Sequence, residues 1–454
     1  MVSFDRFLFA FTIGSHIILV AMSISLILLI AVLEYFNIRK KDEINSQLIR
    51  RLKRVFIISF GVGTASGIVV AVELINLFPG FMTVVSETGI IGAFYLEIFA
   101  FFLETIALVI YVYFEGTFKW KYADFTLASI TAFGTLLSGV LITMVNAWMN
   151  TPNGFYFNTA NGMYAPGAGV VVTNVWAPLA TVSTFSEIVH VLSTTVFAGT
   201  MLMGSYFAYR YIRSGNDSER GMFRSVLRKI SGISIIGIVL AGITGSNEMA
   251  TLLQYQPLKY AALDLNPTPG TGFSERLFGS ISNGHVVGAI QIPGLQALLA
   301  RVETGITQLP GLSSYPASVW PPLWTHDTFD IMVTGGLILG LFLFILFLFF
   351  AFRKDYVKYS AMLYLQVIFG FFAFFVYEDG WVTDEVGRQP WIIYNMMTVS
   401  QAANYSTSLL IPGYLIIAFY LIVIPSAFYF FARIFNSTPH SETSIPVQSG
   451  GVEH

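Results

Sequence analysis

Few residues of this 454-residue chain could do chemistry, and those few stand in apolar surroundings: 55% of the residues are hydrophobic and 11% are charged. Two of the six histidines, His16 and His190, lie well inside apolar runs, as do Glu97, Glu104, Glu187 and Asp330. A charged group at the centre of a membrane helix costs about 2.5–3.5 kcal/mol to insert, so each of these is a functional candidate. His16, His190 and Met332 sit about seven to nine residues into their runs, roughly 10–14 Å deep at ~1.5 Å per residue. A shared depth on separate helices suits a flat cofactor held from two sides, and His nitrogen with Met sulfur is one axial pair for low-spin heme. The alternative is that the histidines hydrogen-bond within the bundle and Met332 is filler. Glu97 and Glu104 are seven residues apart and so share a helix face. With Ser138 at a similar level they form either a proton ladder or a pair of buried acids that bond neighbouring helices. Glu187 and His190 make a Glu-x-x-His pattern, but helical di-iron sites need that motif twice and it occurs once.

Long helices must position these residues. Nine apolar runs are long enough to cross a bilayer, near 7–34, 55–78, 89–114, 124–147, 183–209, 230–252, 325–352, 359–377 and 406–432. The first is too long for a signal-peptide core and no small-residue cleavage site follows it, so it reads as a retained span. Lys and Arg crowd the loops at 39–54, 118–122, 210–229 and 353–358, whereas 79–88 and 148–182 have none. This alternation predicts an all-α integral membrane protein with nine transmembrane helices, N-terminus outside and C-terminus inside. The segment 253–324 becomes an outside loop whose basic residues are Lys259, Arg276 and Arg301. Residues 1–435 form one membrane domain, and the polar tail 436–454 reads as disordered. The absence of cysteine excludes disulfides, thiolate metal sites, Fe–S clusters and cysteine nucleophiles. A net charge of −2 provides no basic footprint for nucleic acid.

One stretch breaks the apolar pattern between the last two runs. "DEVGRQPWII", Asp384–Ile393, packs two acids, an Arg and a Pro into ten residues. Extended to "GWVTDEVGRQPW" (380–391), it resembles the GRQPW signature of subunit I of cytochrome bd-type quinol oxidases. Other pieces agree in order and spacing: "RFLFAFTIGSHIILV", "AFFLE" (100–104), "SGVLITMVNAWMNTPNG" (138–154), "FSEIVHVLSTTVFAG" (185–199), "QPLKYAALD" (256–264), "AIQIP" (289–293) and "IMV" (331–333). The resemblance runs to about Phe435.

The resemblance implies a division of roles. His190 and Met332 match the ligands of a low-spin heme b. His16 and Glu385 match ligands of two high-spin hemes, one a heme b and the other a heme d or a third heme b. Glu97, Glu104 and Ser138 fall on the proton route, and Lys259 and Asp264 on the quinol-binding loop, where the second residue is usually Glu. Trp381, Arg388 and Trp391 match the signature, and Asn146 and Asp330 fall in the heme environment. Arg388 is available to a heme propionate or a neighbouring acid, while Gly387 and Pro390 shape a turn. On this reading the stretch is a lid at the outer face. Quinol and dioxygen are the implied substrates, in a prokaryotic cell membrane, beside a second multi-helix subunit or a homologous copy.

Three departures from the family pattern matter. Glu97 and Glu104 are seven apart rather than eight, which rotates Glu97 by about 100°. Asp330 stands where the family has Arg, and an acid there should lower the potential of the low-spin heme. The outside loop is short, so the quinol pocket should be open or completed by another chain. A degenerate paralogue serving as a structural or electron-relay subunit is the competing reading, and a proton-coupled transporter a third.

Overall fold

The computed structural model describes residues 2–39 and 43–436; the tail expected to be disordered lies outside them, save Asn436, which ends the last helix. The helices are α1 (Val2–Arg39), α2 (Glu43–Leu77), α3 (Pro79–Glu87), α4 (Ile91–Tyr113), α5 (Ala123–Asn150), α6 (Thr184–Arg213), α7 (Asp217–Tyr255), α8 (Pro257–Leu263), α9 (Leu295–Thr304), α10 (Thr325–Ala351), α11 (Ser360–Gly387), α12 (Val399–Ala402) and α13 (Leu410–Asn436). Among the described residues, nine helices are long and apolar enough to cross a membrane, one for each run read from the sequence. The short helices α3, α8, α9 and α12 sit in the connections. Four two-stranded antiparallel pairs join them: β1 (Phe155–Phe157) with β2 (Val170–Val172), β3 (Glu275–Leu277) with β6 (Ile290–Ile292), β4 (Ser280–Ser282) with β5 (His285–Val287), and β7 (Trp391–Ile393) with β8 (Met397–Thr398).

Helix ends depart most from expectation. α7 starts at Asp217, well before the apolar run, because Asn216 caps it by accepting from the Ser218 N–H at 2.9 Å. α11 runs on past residue 377 to Gly387, so Asp384, Glu385 and Gly387 belong to its last turns and not to a loop. Thr383, Asp384 and Glu385 find partners on neighbouring helices or in the turn that follows, and the helix has no reason to stop where the apolar run does. A glycine allows one of the closest packings: a Cβ at Gly370 would overlap Ser205 Oγ and the Met201 carbonyl, so α11 and α6 meet backbone to backbone.

Two large apolar clusters occupy the two ends of the bundle. One gathers Leu26, Ile30, Leu52, Phe56, Phe207 and Leu343. The other gathers Leu8, Phe81, Trp148, Phe157, Ile393 and Met397. His16 and Ser138 lie on their helices between stretches that belong to the two clusters.

Candidate functional site

His16 and His190 are held in the same way. His16 Nδ1 lies 2.7 Å from Ser66 Oγ on α2, and His190 Nδ1 lies 3.1 Å from Thr244 Oγ1 on α7. Each hydroxyl spends its own proton on a helix carbonyl, Ser66 on Gly63 at 2.8 Å and Thr244 on Leu240 at 2.7 Å. With that proton on the carbonyl, the hydroxyl oxygen accepts from the ring, an arrangement that puts the ring proton on Nδ1 and leaves the Nε2 lone pair free. This is the tautomer of a metal-ligating histidine whose second nitrogen is fixed by an outer partner. In both cases the next residue is glycine. A Cβ at Gly67 would lie 3.3 Å from His16 Cε1, and one at Gly245 the same distance from His190 Cε1. A hydroxyl followed by glycine thus cradles each ring. Met332 is half-buried, and a Cβ at Gly380 would come 3.1 Å from its sulfur. The donor chemistry fits the heme ligation expected for His16, His190 and Met332. Among the described residues no group of three or more His, Asp or Glu converges as a metal site. Glu187 and His190 accordingly part company: Glu187 receives Asn150 Nδ2 at 3.2 Å while His190 turns to Thr244.

The acids of α4 face α5. Ser138 donates to Glu97 at 2.9 Å and Thr135 donates to Glu104 at 2.6 Å. The seven-residue spacing therefore does not turn Glu97 away, since both acids reach the same neighbouring helix. Two turns further along, Tyr111 donates to Glu34 at 2.5 Å. Glu34 also lines a cavity of about 590 Å³ together with Glu43, Glu115 and Asp124. Sequence reading missed Thr135, Tyr111 and Glu34. Tyr111 continues the seven-residue rhythm of Glu97 and Glu104, and that was the available signal.

The stretch around Asp384 forms a connected polar network. Asn146 and Asn150, one turn apart on α5, accept from Arg388 Nη1 at 2.8 and 2.9 Å. Their amide nitrogens donate to Asp384 at 2.6 and 3.3 Å. Arg388 also donates to Glu385 at 2.5 Å, so it serves the neighbouring acid. Lys259, from α8, donates 2.6 Å to Asp384 Oδ1 and 3.0 Å to its carbonyl. Gly387 has a packing role here: a Cβ would stand 3.0 Å from Lys259 Cε. The turn after it contains the cis Gln389–Pro390 bond, and Trp391, largely buried in β7, donates its N–H to the Arg388 carbonyl at 3.0 Å. Trp381 packs at the edge of the Ile17, Ala21, Ala198 and Tyr377 cluster beside α1.

Asp264 lies apart from Lys259. It receives Gln296 Nε2 at 2.6 Å, and burial together with the charge of Glu275 raises its carboxyl pKa well above the ordinary range. Burial likewise raises Glu275 and the Tyr260 phenol. Lys259 and Asp264 are only 3% and 4% exposed within this chain. Asp330 is compensated: it accepts from the Phe278 N–H, and His326 Nε2 lies 3.1 Å away. The acid in the turn before Met332 thus has a backbone donor and an imidazole beside it. His326 itself was missed; it donates from Nδ1 to the Leu263 carbonyl at 2.5 Å and so ties α8 to α10.

Comparison with known proteins gives concordant results. The family model for cytochrome bd terminal oxidase subunit I matches residues 4–439. A Bacillus subtilis (strain 168) chain whose name includes the words cytochrome bd menaquinol oxidase subunit I is 30% identical over 417 residues, covering 89% of each chain. The cytochrome bd ubiquinol oxidase subunit 1 of the same organism is 23% identical, covering 88% of this chain and 85% of its own. The solved structure of bd oxidase from Geobacillus thermodenitrificans superposes with a TM-score of 0.87 at 29% identity, covering 96% of this chain and 99% of that one.

Proposed function

The chain belongs to the cytochrome bd terminal oxidase subunit I family, a multi-pass membrane subunit of a quinol oxidase, and from that premise we propose how its residues divide the work of oxidising quinol and reducing dioxygen to water. The bundle lies with its N-terminus outside and C-terminus inside, so α8 and the Asp384–Arg388 network face outward. His190 and Met332 would hold a low-spin heme b. His16 and Glu385 would hold two high-spin hemes, a heme b and either a heme d or a third heme b. When bound, these groups supply the electron transfer and the dioxygen chemistry. Lys259 and Asp264 orient quinol at the outer face. Arg388, with Asn146, Trp381 and Trp391 around it, fixes the Glu385 carboxylate. Glu34 and Tyr111 stand at the inner mouth, and Glu104, Glu97 and Ser138 hand protons outward to the oxygen-reducing site. A second multi-helix subunit, or a homologous copy, completes the enzyme.

The observation that carries this reading is the pair of cradled histidines. In each, a hydroxyl bonded to its own helix carbonyl faces Nδ1, which suits the Nδ1–H tautomer with Nε2 turned to iron. A structural paralogue without heme would have no use for two such cradles, and an electron-relay paralogue would show little or no high-spin heme. The test is His190→Ala and Met332→Leu, read by pyridine hemochrome and reduced-minus-oxidised spectra. The low-spin band should disappear while high-spin heme remains in part. An unchanged low-spin band in both variants refutes the assignment.

A further inference from the structure

The lysine expected to meet quinol is not a loose side chain. Its ammonium makes two bonds, both to Asp384, and the pair is buried on the lysine side. Asp384 in turn receives three donors on two carboxylate oxygens: Lys259 and Asn150 on Oδ1, and Asn146 on Oδ2. The orientation of both asparagines is fixed, because their carbonyl oxygens accept from Arg388 while their nitrogens face Asp384. Only a side chain that accepts on both sides fits this place. Asparagine would turn an amide nitrogen toward a donor whichever way it sat. Asp384 is thus the point where α5, α8 and α11 are joined, one residue from Glu385.

We propose that Asp384 is a positioning residue of the quinol site, holding the Lys259 ammonium against the last turn of α11 with one of its three N–H donors uncommitted for the quinol oxygen. The proposal rests on the reading of Lys259 as a quinol contact. A fixed ammonium is a better donor than a mobile one, since the flexible lysine stem has already lost its rotamer freedom before quinol arrives. The single free N–H also selects a ligand with one acceptor at that point, as a quinol hydroxyl oxygen is.

Steady-state oxygen uptake by the purified oxidase, titrated with a short-chain quinol, tests this in Asp384→Asn, Lys259→Met and the double variant. Asp384→Asn should keep its heme by pyridine hemochrome and raise KM for quinol by about tenfold, the low end for loss of an outer partner. In the Lys259→Met background it should add nothing, because residues that act through one contact are not additive. An equal rise in KM in both backgrounds overturns the proposal, since Asp384 would then act without Lys259. An unchanged KM in Asp384→Asn beside a raised KM in Lys259→Met also overturns it, while leaving the quinol reading of Lys259 intact. A KM unchanged in Lys259→Met removes that reading, and the proposal with it. Should Asp384→Asn fail to retain heme, amine labelling of Lys259 read by peptide mass spectrometry in Asp384→Glu carries the test. Moving the carboxylate by one methylene should raise labelling above the native protein, and equal labelling overturns the proposal.

Discussion

Replacing Thr244 by valine keeps the shape beside His190 and removes the oxygen that accepts its Nδ1–H. The native bond is 3.1 Å long, and the hydroxyl proton is committed to the Leu240 carbonyl, so no other acceptor on that side chain remains. A buried donor left without a partner costs about 1–3 kcal/mol. At 1.4 kcal/mol per tenfold, low-spin heme should be held about 5- to 150-fold more weakly. The heme-free ring escapes the penalty by moving its proton to Nε2, whereas a ligating ring must keep its lone pair there, so the cost falls on the heme-bound state. The assay is the rate of heme transfer from the purified oxidase to an excess of apo-globin, with the reduced-minus-oxidised spectrum recorded in parallel. Thr244→Ser keeps the hydroxyl and should behave as the native protein does. Ser66→Ala should act in the same sense on the high-spin signal, from a shorter bond of 2.7 Å. A valine variant whose transfer rate and low-spin band stay within about twofold of native would refute the cradle argument, because the loss expected from one unpaired buried donor would be missing.

Glu104→Gln can still accept from Thr135, so heme content should persist, while proton uptake from the inside and turnover fall; reconstituted vesicles with an internal pH dye measure it, and normal uptake would exclude Glu104 as an obligatory relay. Asp264 lies outside the spanning helices and its carboxyl is raised by burial and by Glu275, so the folded loop holds a proton that the unfolded chain releases above its usual value near ~4. The native state then binds more protons, and loop stability falls as pH rises from that range until the folded pKa is passed. Hydrogen exchange across 257–304, corrected for intrinsic rates, should report easier opening as pH is raised from ~5 to ~8. Asp264→Asn should weaken the trend and leave the part that belongs to Glu275, and an identical trend in the variant would show that Asp264 does not contribute.

The nine spans were legible because a bilayer sets a minimum apolar length that few other demands imitate. Their ends were not, because a charged or polar residue stops a hydropathy run without stopping a helix. The extension of α11 to Gly387 shows this: Thr383 bonds Thr328 on α10 at 2.9 Å, and Asp384 bonds α5 and α8. Chemistry was legible one residue at a time, where a His or Glu stood alone in an apolar run. The partners were not. Ser66, Gly67, Thr244 and Gly245 are small residues of the kind that fill membrane helices for packing. Nothing in their spacing ties Ser66 to His16 fifty positions earlier. Asp384 was visible as an acid, but only the fold shows that it faces a lysine 125 positions away.

These partners show how a short loop is held against the proposed heme ligands. α8 is seven residues long and is fixed at both ends. Near its start Lys259 is bound to Asp384 on α11, next to Glu385. At its end the Leu263 carbonyl is bound by His326 on α10, six residues before Met332. α10 and α11 also bond each other through Thr328 and Thr383. The helix that carries Lys259 is thus anchored to α10 and α11, which carry the proposed ligands Met332 and Glu385. Membrane helices are stiff, and a side-chain bond at each end leaves α8 little freedom to move independently of them. The distance from Lys259, the proposed quinol contact, to the proposed ligands is then set by the bundle itself. The loop needs only enough length to cover α8, which it does with Leu312, Tyr315 and Trp320. A long insertion adds nothing to that geometry.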